Sequence, residues 1–144
     1  MKFEPDVWGP HYWFFIHTIG YAYPKTPNET LKKRYHSFIQ DLPLFIPDAE
    51  ISSQFADLLD KYPVKSYLDS RDAFIKWTNF IHNKVNDKLG KPQVSLYESI
   101  QQYYDLYKPR EEVEREEATL MRRRMIIGFI IGVVFIIIFL SMLG

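Results

Sequence analysis

Trp77-Thr78-Asn79-Phe80-Ile81-His82-Asn83-Lys84-Val85-Asn86-Asp87-Lys88-Leu89-Gly90-Lys91-Pro92 is the stretch that decides the fold of this chain. With Phe74 ahead of it, it sets Trp77, Ile81, Val85 and Leu89 at three- and four-residue intervals, the spacing that lines one face of an α-helix. Gly90 and Pro92 then give a stop signal. Upstream, Leu31, Tyr35, Phe38, Ile39 and Leu42 repeat the pattern, and helices are expected over about 12–23 and 48–62, the latter with Ile51, Phe55, Leu58 and Leu59 inward. Ser95 and Glu98 form a capping box that opens a helix through Leu96, Ile100, Tyr103 and Tyr107. No stretch alternates with the period of a strand. The expected fold is all-α: a four-helix bundle plus a short fifth helix over residues 1–109, followed by a single C-terminal transmembrane helix.

Composition narrows the chemistry. Eighteen Lys and Arg balance eighteen Asp and Glu, so there is no global field to draw nucleic acid, and no nucleic-acid partner is expected. The absence of cysteine excludes disulfides, thiolate metal sites and cysteine nucleophiles. His11, His17, His36 and His82 show no HExxH or ligand-like pairing, and neither GxSxG nor a Gly-rich phosphate loop occurs, so no metal site is expected. Asp57, Asp60, Asp69 and Asp72 could be arranged as a hydrolytic set, but their spacing suits solvated helix faces and loops equally well.

From Met125 to Leu143 the chain carries no charged residue. As a helix it spans about 28 Å, close to the roughly 30 Å hydrocarbon core of a bilayer, and it reads as a membrane anchor near the end of the chain. Arg122, Arg123 and Arg124 flank its N-terminal side, which by the positive-inside bias keeps residues 1–124 cytosolic. Glu4, Pro5 and Asp6 stand where a leader would carry basic residues, so no secretion signal is expected. Gly128 and Gly132 make a GxxxG pair, a weak indication of helix self-association. Residues 110–124, rich in Glu, form a helix-prone stalk separated from the domain at Pro109.

Two runs carry a family resemblance. Trp8-Gly9-Pro10, with Trp13, Phe15, His17-Thr18 and Tyr23-Pro24, resembles the opening Trp-x-x-x-His helix of the Erv/ALR family of FAD-dependent sulfhydryl oxidases, more narrowly its short viral branch. Trp77, His82-Asn83, Val85-Asn86, Leu89 and Lys91-Pro92 are similar to that family's His-Asn-x-Val-Asn-x-x-Leu-x-Lys helix. The resemblance covers nearly the whole soluble domain. It implies a five-helix domain whose four central helices cradle FAD, with Trp13, His17, His82, Asn83, Val85, Asn86, Leu89 and Lys91 as the flavin contacts. Read from the residues alone, Trp13 and Trp77 are equally core side chains, and His17 and His82 equally satisfied buried imidazoles.

The departures from the family set the functional expectation. The resemblance implies a Pro-led CxxC pair beside the flavin, but the equivalent run is Pro47-Asp48-Ala49-Glu50-Ile51, with Asp48 and Ile51 in the cysteine places. Neither a carboxylate nor an alkyl chain relays a disulfide's electrons, so no catalytic residue is expected, and Asp48 becomes a helix N-cap. Asn79 and Leu96 stand where many relatives carry a structural disulfide, and Pro10 where relatives use a basic residue. Whether FAD stays is open: retained, it is a structural plug; lost, it leaves a cavity for aromatic residues including Tyr103, Tyr104 and Tyr107. The expected function is a redox-inactive, membrane-anchored structural or interaction protein, with membrane lipid and protein partners. The viral resemblance adds a minor capsid or inner-membrane component, in a virion inner membrane or host ER-derived membrane, bound to shell proteins and dimeric by default. The alternative is an FAD-binding, thiol oxidase-like flavoprotein that works with a partner's cysteines.

Overall fold

In a computed structural model that describes residues 3–143, without the side chains of Phe139 and Leu143, the chain is helical, and no strand occurs among the described residues. The helices are α1 (Pro5–Ala22), α2 (Glu29–Asp41), α3 (Ala49–Lys61), α4 (Arg71–Lys88), α5 (Leu96–Asp105) and α6 (Arg110–Leu143), with 3₁₀ turns at Leu42–Phe45 and Val64–Tyr67. Side chains start most of them. Asn28 accepts a hydrogen bond from the Leu31 N–H at 2.8 Å, Asp48 from Ile51 at 2.9 Å and Ser70 from Ala73 at 3.2 Å. Ser95 and Glu98 cap reciprocally, at 3.2 Å and 3.0 Å, as their spacing predicts.

Helix α1 begins at Pro5, well before the expected start near Tyr12. The helix runs through Gly9 and Pro10. Pro5 sits in the first turn, where its missing N–H leaves no intrahelical bond unmade, and Pro10 removes one bond on an exposed side of the helix.

Tertiary contacts divide the chain within α5: one compact unit runs to Ser99 and contains α1 to α4, and the other begins at Ile100 and contains α6. In the first unit, α1 packs chiefly against α4. Ile16 from α1 and Tyr23 just after it, Ile39 from α2, Phe55 and Leu59 from α3, and Phe74, Trp77 and Ile81 from α4 meet in one core. Val64 and Leu68, in the segment expected to be a plain loop, are also fully buried there. The Tyr23 hydroxyl donates to the Leu68 carbonyl at 2.8 Å, the Arg71 guanidinium donates to the Tyr23 carbonyl, and the Trp77 indole N–H donates to the Tyr62 carbonyl at 3.0 Å.

In the second unit, α6 continues unbroken from the stalk into the apolar segment. Ion pairs line the stalk, including Lys108 with Glu116 at 3.1 Å and Arg110 with Glu114 at 2.9 Å, each worth little on an exposed surface. The apolar segment has a window of mean hydropathy 3.0, none of it buried, so α6 is long and apolar enough to cross a membrane. Of the expected anchor, Met125 is exposed, and beyond the adjoining turns of α6 none of the described residues lies within 4 Å of where a Cβ would stand at Gly128 or Gly132; the side chain of Leu143 lies outside the described residues. Tyr104 and Tyr107 are each 59% exposed.

Phe74 is fully buried and meets the rings of Tyr23 and Tyr35 edge-on at 5.2 Å and 5.9 Å. Phe74→Ala should therefore cost about 3–5 kcal/mol, read from the urea unfolding midpoint. Leu44, 78% exposed, is the control, and Leu44→Ala should move stability by less than about 0.5 kcal/mol.

Candidate functional site

Trp13 and His17 lie one helical turn apart on α1 and face His82 on α4. The Trp13 and His82 rings are stacked, 4.0 Å between centroids and 9° from parallel. His17 Nε2 and His82 Nδ1 lie 3.0 Å apart in a hydrogen bond, one ring donating and the other accepting. Such a bond requires at least one deprotonated nitrogen. Burial pushes His17 down from 6.5 to about 4, and burial, with the nearby His17 and Lys91, does the same for His82. Both rings are therefore neutral at pH 7.

Helix α3 closes the cluster, because Phe55 meets Trp13 edge-on at 6.2 Å. Phe55 was expected only in the core. Ile51 stands one turn before it and Asp48 caps the same helix, so the two positions at which the resemblance implies cysteines open the helix that touches the ring stack. The periodicity placed Phe55 inward, but nothing local marked which inward ring it would meet.

The other expected flavin contacts divide by role. Asn83 is closed on Val94: its amide oxygen accepts the Val94 N–H at 2.9 Å and its amide nitrogen donates to the Val94 carbonyl at 2.8 Å. Asn86, buried, donates to the Pro92 carbonyl at 3.4 Å, and Asn79 donates to the Val94 carbonyl at 3.4 Å. Asn79, Asn83 and Asn86 thus form a polar line along α4 that binds the returning chain. Their i, i+4, i+7 spacing was readable in the sequence, but its target was not.

That return depends on the turn after α4. Gly90 adopts φ +64°, the Gly90 N–H donates to the Asp87 carbonyl at 3.2 Å, and the Lys91 N–H donates to the Asn86 carbonyl at 2.8 Å, the paired bonds of a Schellman motif. Leu89 is the residue at which α4 stops, and it is 48% exposed; the inward position expected for it is overturned because the helical face ends before it. Val85 is partly buried against the core. Lys91 pairs with Asp6 at 2.8 Å, which holds the exposed Asp6 carboxyl below its usual range.

Trp13, His17, His82 and Phe55 come together, Lys91 stands at the open end of α1, and Val85 and Asn86 belong to the wall of α4. The donor set fits a flavin dinucleotide in kind. Trp13 and His82 offer ring faces, each imidazole keeps one ring nitrogen outside the His17–His82 bond, and Lys91 is half-exposed. At Asn83 the fit is reduced to one amide hydrogen and one lone pair. Trp8 Nε1 is buried without a hydrogen-bond partner among the described residues.

An all-helical bundle whose first and fourth helices press a tryptophan and two neutral histidines together defines the class. Residues 10–105 match the Erv1/Alr family, and the chain belongs to it. It is 34% identical over 110 residues to a protein of Acanthamoeba polyphaga mimivirus named a probable FAD-linked sulfhydryl oxidase, covering 76% of this chain and 77% of that one. It is 37% identical over 79 residues to a FAD-linked sulfhydryl oxidase of Saccharomyces cerevisiae, covering 55% of this chain and 39% of that one. The fold resembles the crystal structure of the FAD binding domain of Erv1 from Saccharomyces cerevisiae, with TM-score 0.67 and 22% identity over 72% of this chain and 97% of that one.

The neutral pair makes stability pH-dependent. Each histidine has a folded pKa of about 4 against an ordinary 6.5, so the unfolded chain takes up protons first as the solution is acidified. The contribution is complete above pH 6.5 and is lost as pH falls toward 4, at up to roughly 1.4 kcal/mol per pH unit per ring. The urea midpoint should fall across that window, and His17→Asn should flatten the dependence.

Proposed function

We propose that this chain is a redox-inactive member of the Erv1/Alr family that acts as a membrane-anchored structural and interaction protein. Its closest setting in kind is a viral minor capsid or inner-membrane component that joins a membrane to a protein shell. The observation that carries the reading is at the start of α3. The Asp48 carboxylate is committed to the Ile51 N–H at 2.9 Å, and both residues stand where the family resemblance implies the reactive cysteines. With no cysteine in the sequence, this chain has no atom that can attack a disulfide or hold a mixed one.

Two further observations support the reading. Helix α6 presents an apolar surface that water would penalise and a bilayer would accept, with Arg122, Arg123 and Arg124 at its edge to keep the domain cytosolic. Viral proteins are among its relatives, which supports a virion inner membrane or host ER-derived membrane. The partners are then membrane lipid, shell proteins and a second copy of the chain.

The preserved cluster of Trp13, His17 and His82 favours a second reading, in which the chain holds FAD and works with a partner's cysteines. Trp13 and His82 would border the ring system and Lys91 would meet a phosphate. When bound, the flavin would supply a two-electron acceptor; the chain's own residues bind and orient it and exclude water, and thiols must come from elsewhere.

The full chain, purified in detergent, tests these readings through its visible flavin absorbance and its oxygen uptake on a dithiol. No turnover is expected, with or without flavin; turnover would overturn the redox-inactive reading. If flavin copurifies, the double variant Asp48→Cys, Ile51→Cys should gain oxygen uptake, because it restores the missing relay beside an intact site. In cells, a glycosylation acceptor fused to the N-terminus should stay unmodified, and its modification would reverse the assigned topology.

A further inference from the structure

One stripe of α4 takes no part in the core or in the ring cluster. Lys76, Phe80, Lys84 and Lys88 follow one another at four-residue intervals and so share a side of the helix. Phe80 is 37% exposed. Across from it, at the end of α3, Tyr62 meets the Phe80 ring edge-on at 5.0 Å. Lysines ring this pair: Lys84 Nζ lies 5.3 Å from the Phe80 centroid and 5.8 Å from that of Tyr62, and Lys61 Nζ lies 5.4 Å from Tyr62. None of Lys61, Lys76, Lys84 and Lys88 has a carboxylate partner among the described residues, although Lys32, Lys91 and Lys108 all do. The acids of α4 itself are Asp72 and Asp87, one at each end of the stripe.

In a chain of zero net charge, two ammonium groups against two aromatic rings, with Lys76 and Lys88 farther along the same side of α4, form a local cationic face with an apolar centre. Lysine stems bury their methylenes while the heads reach outward, and rings with a wet edge lodge at the boundary between headgroups and acyl chains. That is the chemistry of docking on an anionic lipid surface. An acidic protein segment would match the charge but has no need of the rings.

Position also selects the bilayer. If α6 crosses the membrane, the stalk from Arg110 to Arg124 is about 22 Å long as a helix, so the domain stays tethered beside the surface and docking is intramolecular. We propose that the face formed by Lys76, Phe80, Lys84 and Lys88, with Lys61 and Tyr62, docks on anionic phospholipid headgroups of the bilayer that anchors the chain. The proposal rests on the reading of α6 as an anchor. Docking lays α4 along the membrane and turns the tethered domain into an oriented one.

The sequence has no cysteine, so Asp87→Cys supplies a unique site for a polarity-sensitive fluorophore at the edge of the face. The labelled full chain is placed in nanodiscs of phosphatidylcholine alone and of phosphatidylcholine with phosphatidylserine, and iodide quenching and emission wavelength are read. With phosphatidylserine, quenching should fall and emission shift to the blue, and both effects should fade as salt is raised. Lys84→Gln in this background should lower the ratio of docked to free domain about fivefold, and Lys84→Glu with Lys88→Glu should abolish the difference between the lipids. Equal quenching in both nanodiscs, with the chain incorporated, overturns the docking while leaving the anchor intact. Protection in phosphatidylcholine alone that disappears on Glu112→Gln with Glu116→Gln assigns the face to the acidic stalk and overturns the proposal. A chain that copurifies with neither nanodisc overturns the anchor first, and the docking with it.

Discussion

The antiparallel contact of α1 with α4 is the constraint on which the bundle depends, because it is fixed at three points along its length by three different chemistries. At one end, the Arg71 guanidinium donates to the Tyr23 carbonyl while the Tyr23 hydroxyl reaches Leu68. In the middle, the His17–His82 bond and the Trp13 stack hold the helices face to face. At the other end, Asp6 meets Lys91 just beyond the turn that ends α4. A slide of one helix along the other would break all three together. The middle point carries most weight: the exposed Asp6–Lys91 pair is screened by water, whereas the imidazoles are largely buried and each needs the other's nitrogen.

The same contact gives the His82 to Lys91 run a structural meaning beside its family one. His82 looks toward α1, while Asn79, Asn83 and Asn86 look toward residues 92–94 and bind their backbone. Asn79 stands where the resemblance implies one half of a structural disulfide. Here a side-chain amide ties α4 to the chain leading into α5, a reversible link in place of a covalent one. At the start of α3 the exchange is similar. An Asp N-cap contributes about 1 kcal/mol to the helix, so Asp48 gives α3 a firm start where the family resemblance implies a thiol.

What the sequence made legible was local. Helix faces, the Ser95–Glu98 box, the Asp48 cap and the stop at Gly90 all follow from spacing within a few residues, and each is present except at the ends of two faces, Leu89 after α4 and Tyr107 beyond α5. The misses are non-local. The start of α1 at Pro5 is missed because residues 5–11 carry no apolar face of helical period. Val64 and Leu68 read as loop because their burial is set by packing against distant helices, and the 3₁₀ turn between them is too short to show a period. At the site, Trp13, His17 and His82 were named from the family resemblance, whereas Phe55 became visible only when α3 was packed against Trp13. Asn83 was also named from the resemblance, and its two bonds to Val94 could not be read from its place in the chain.

Between α1 and α4 the bundle is held by rings and hydrogen bonds, without sulfur. A ring stack and a neutral imidazole pair satisfy one another: the stack buries flat surface, and the hydrogen bond removes the polar penalty of burying ring nitrogens. The contact of α1 with α4 is thereby held at its middle, with one nitrogen of each ring left outside the bond. Nothing in that arrangement accounts for α6, whose Phe129 and Phe135 are 74% and 68% exposed in the chain alone. Apolar side chains on this scale remain stable only when lipid or another helix covers them. The two units thus meet different requirements: the bundle is closed by its own side chains, and the long helix is satisfied by what surrounds it.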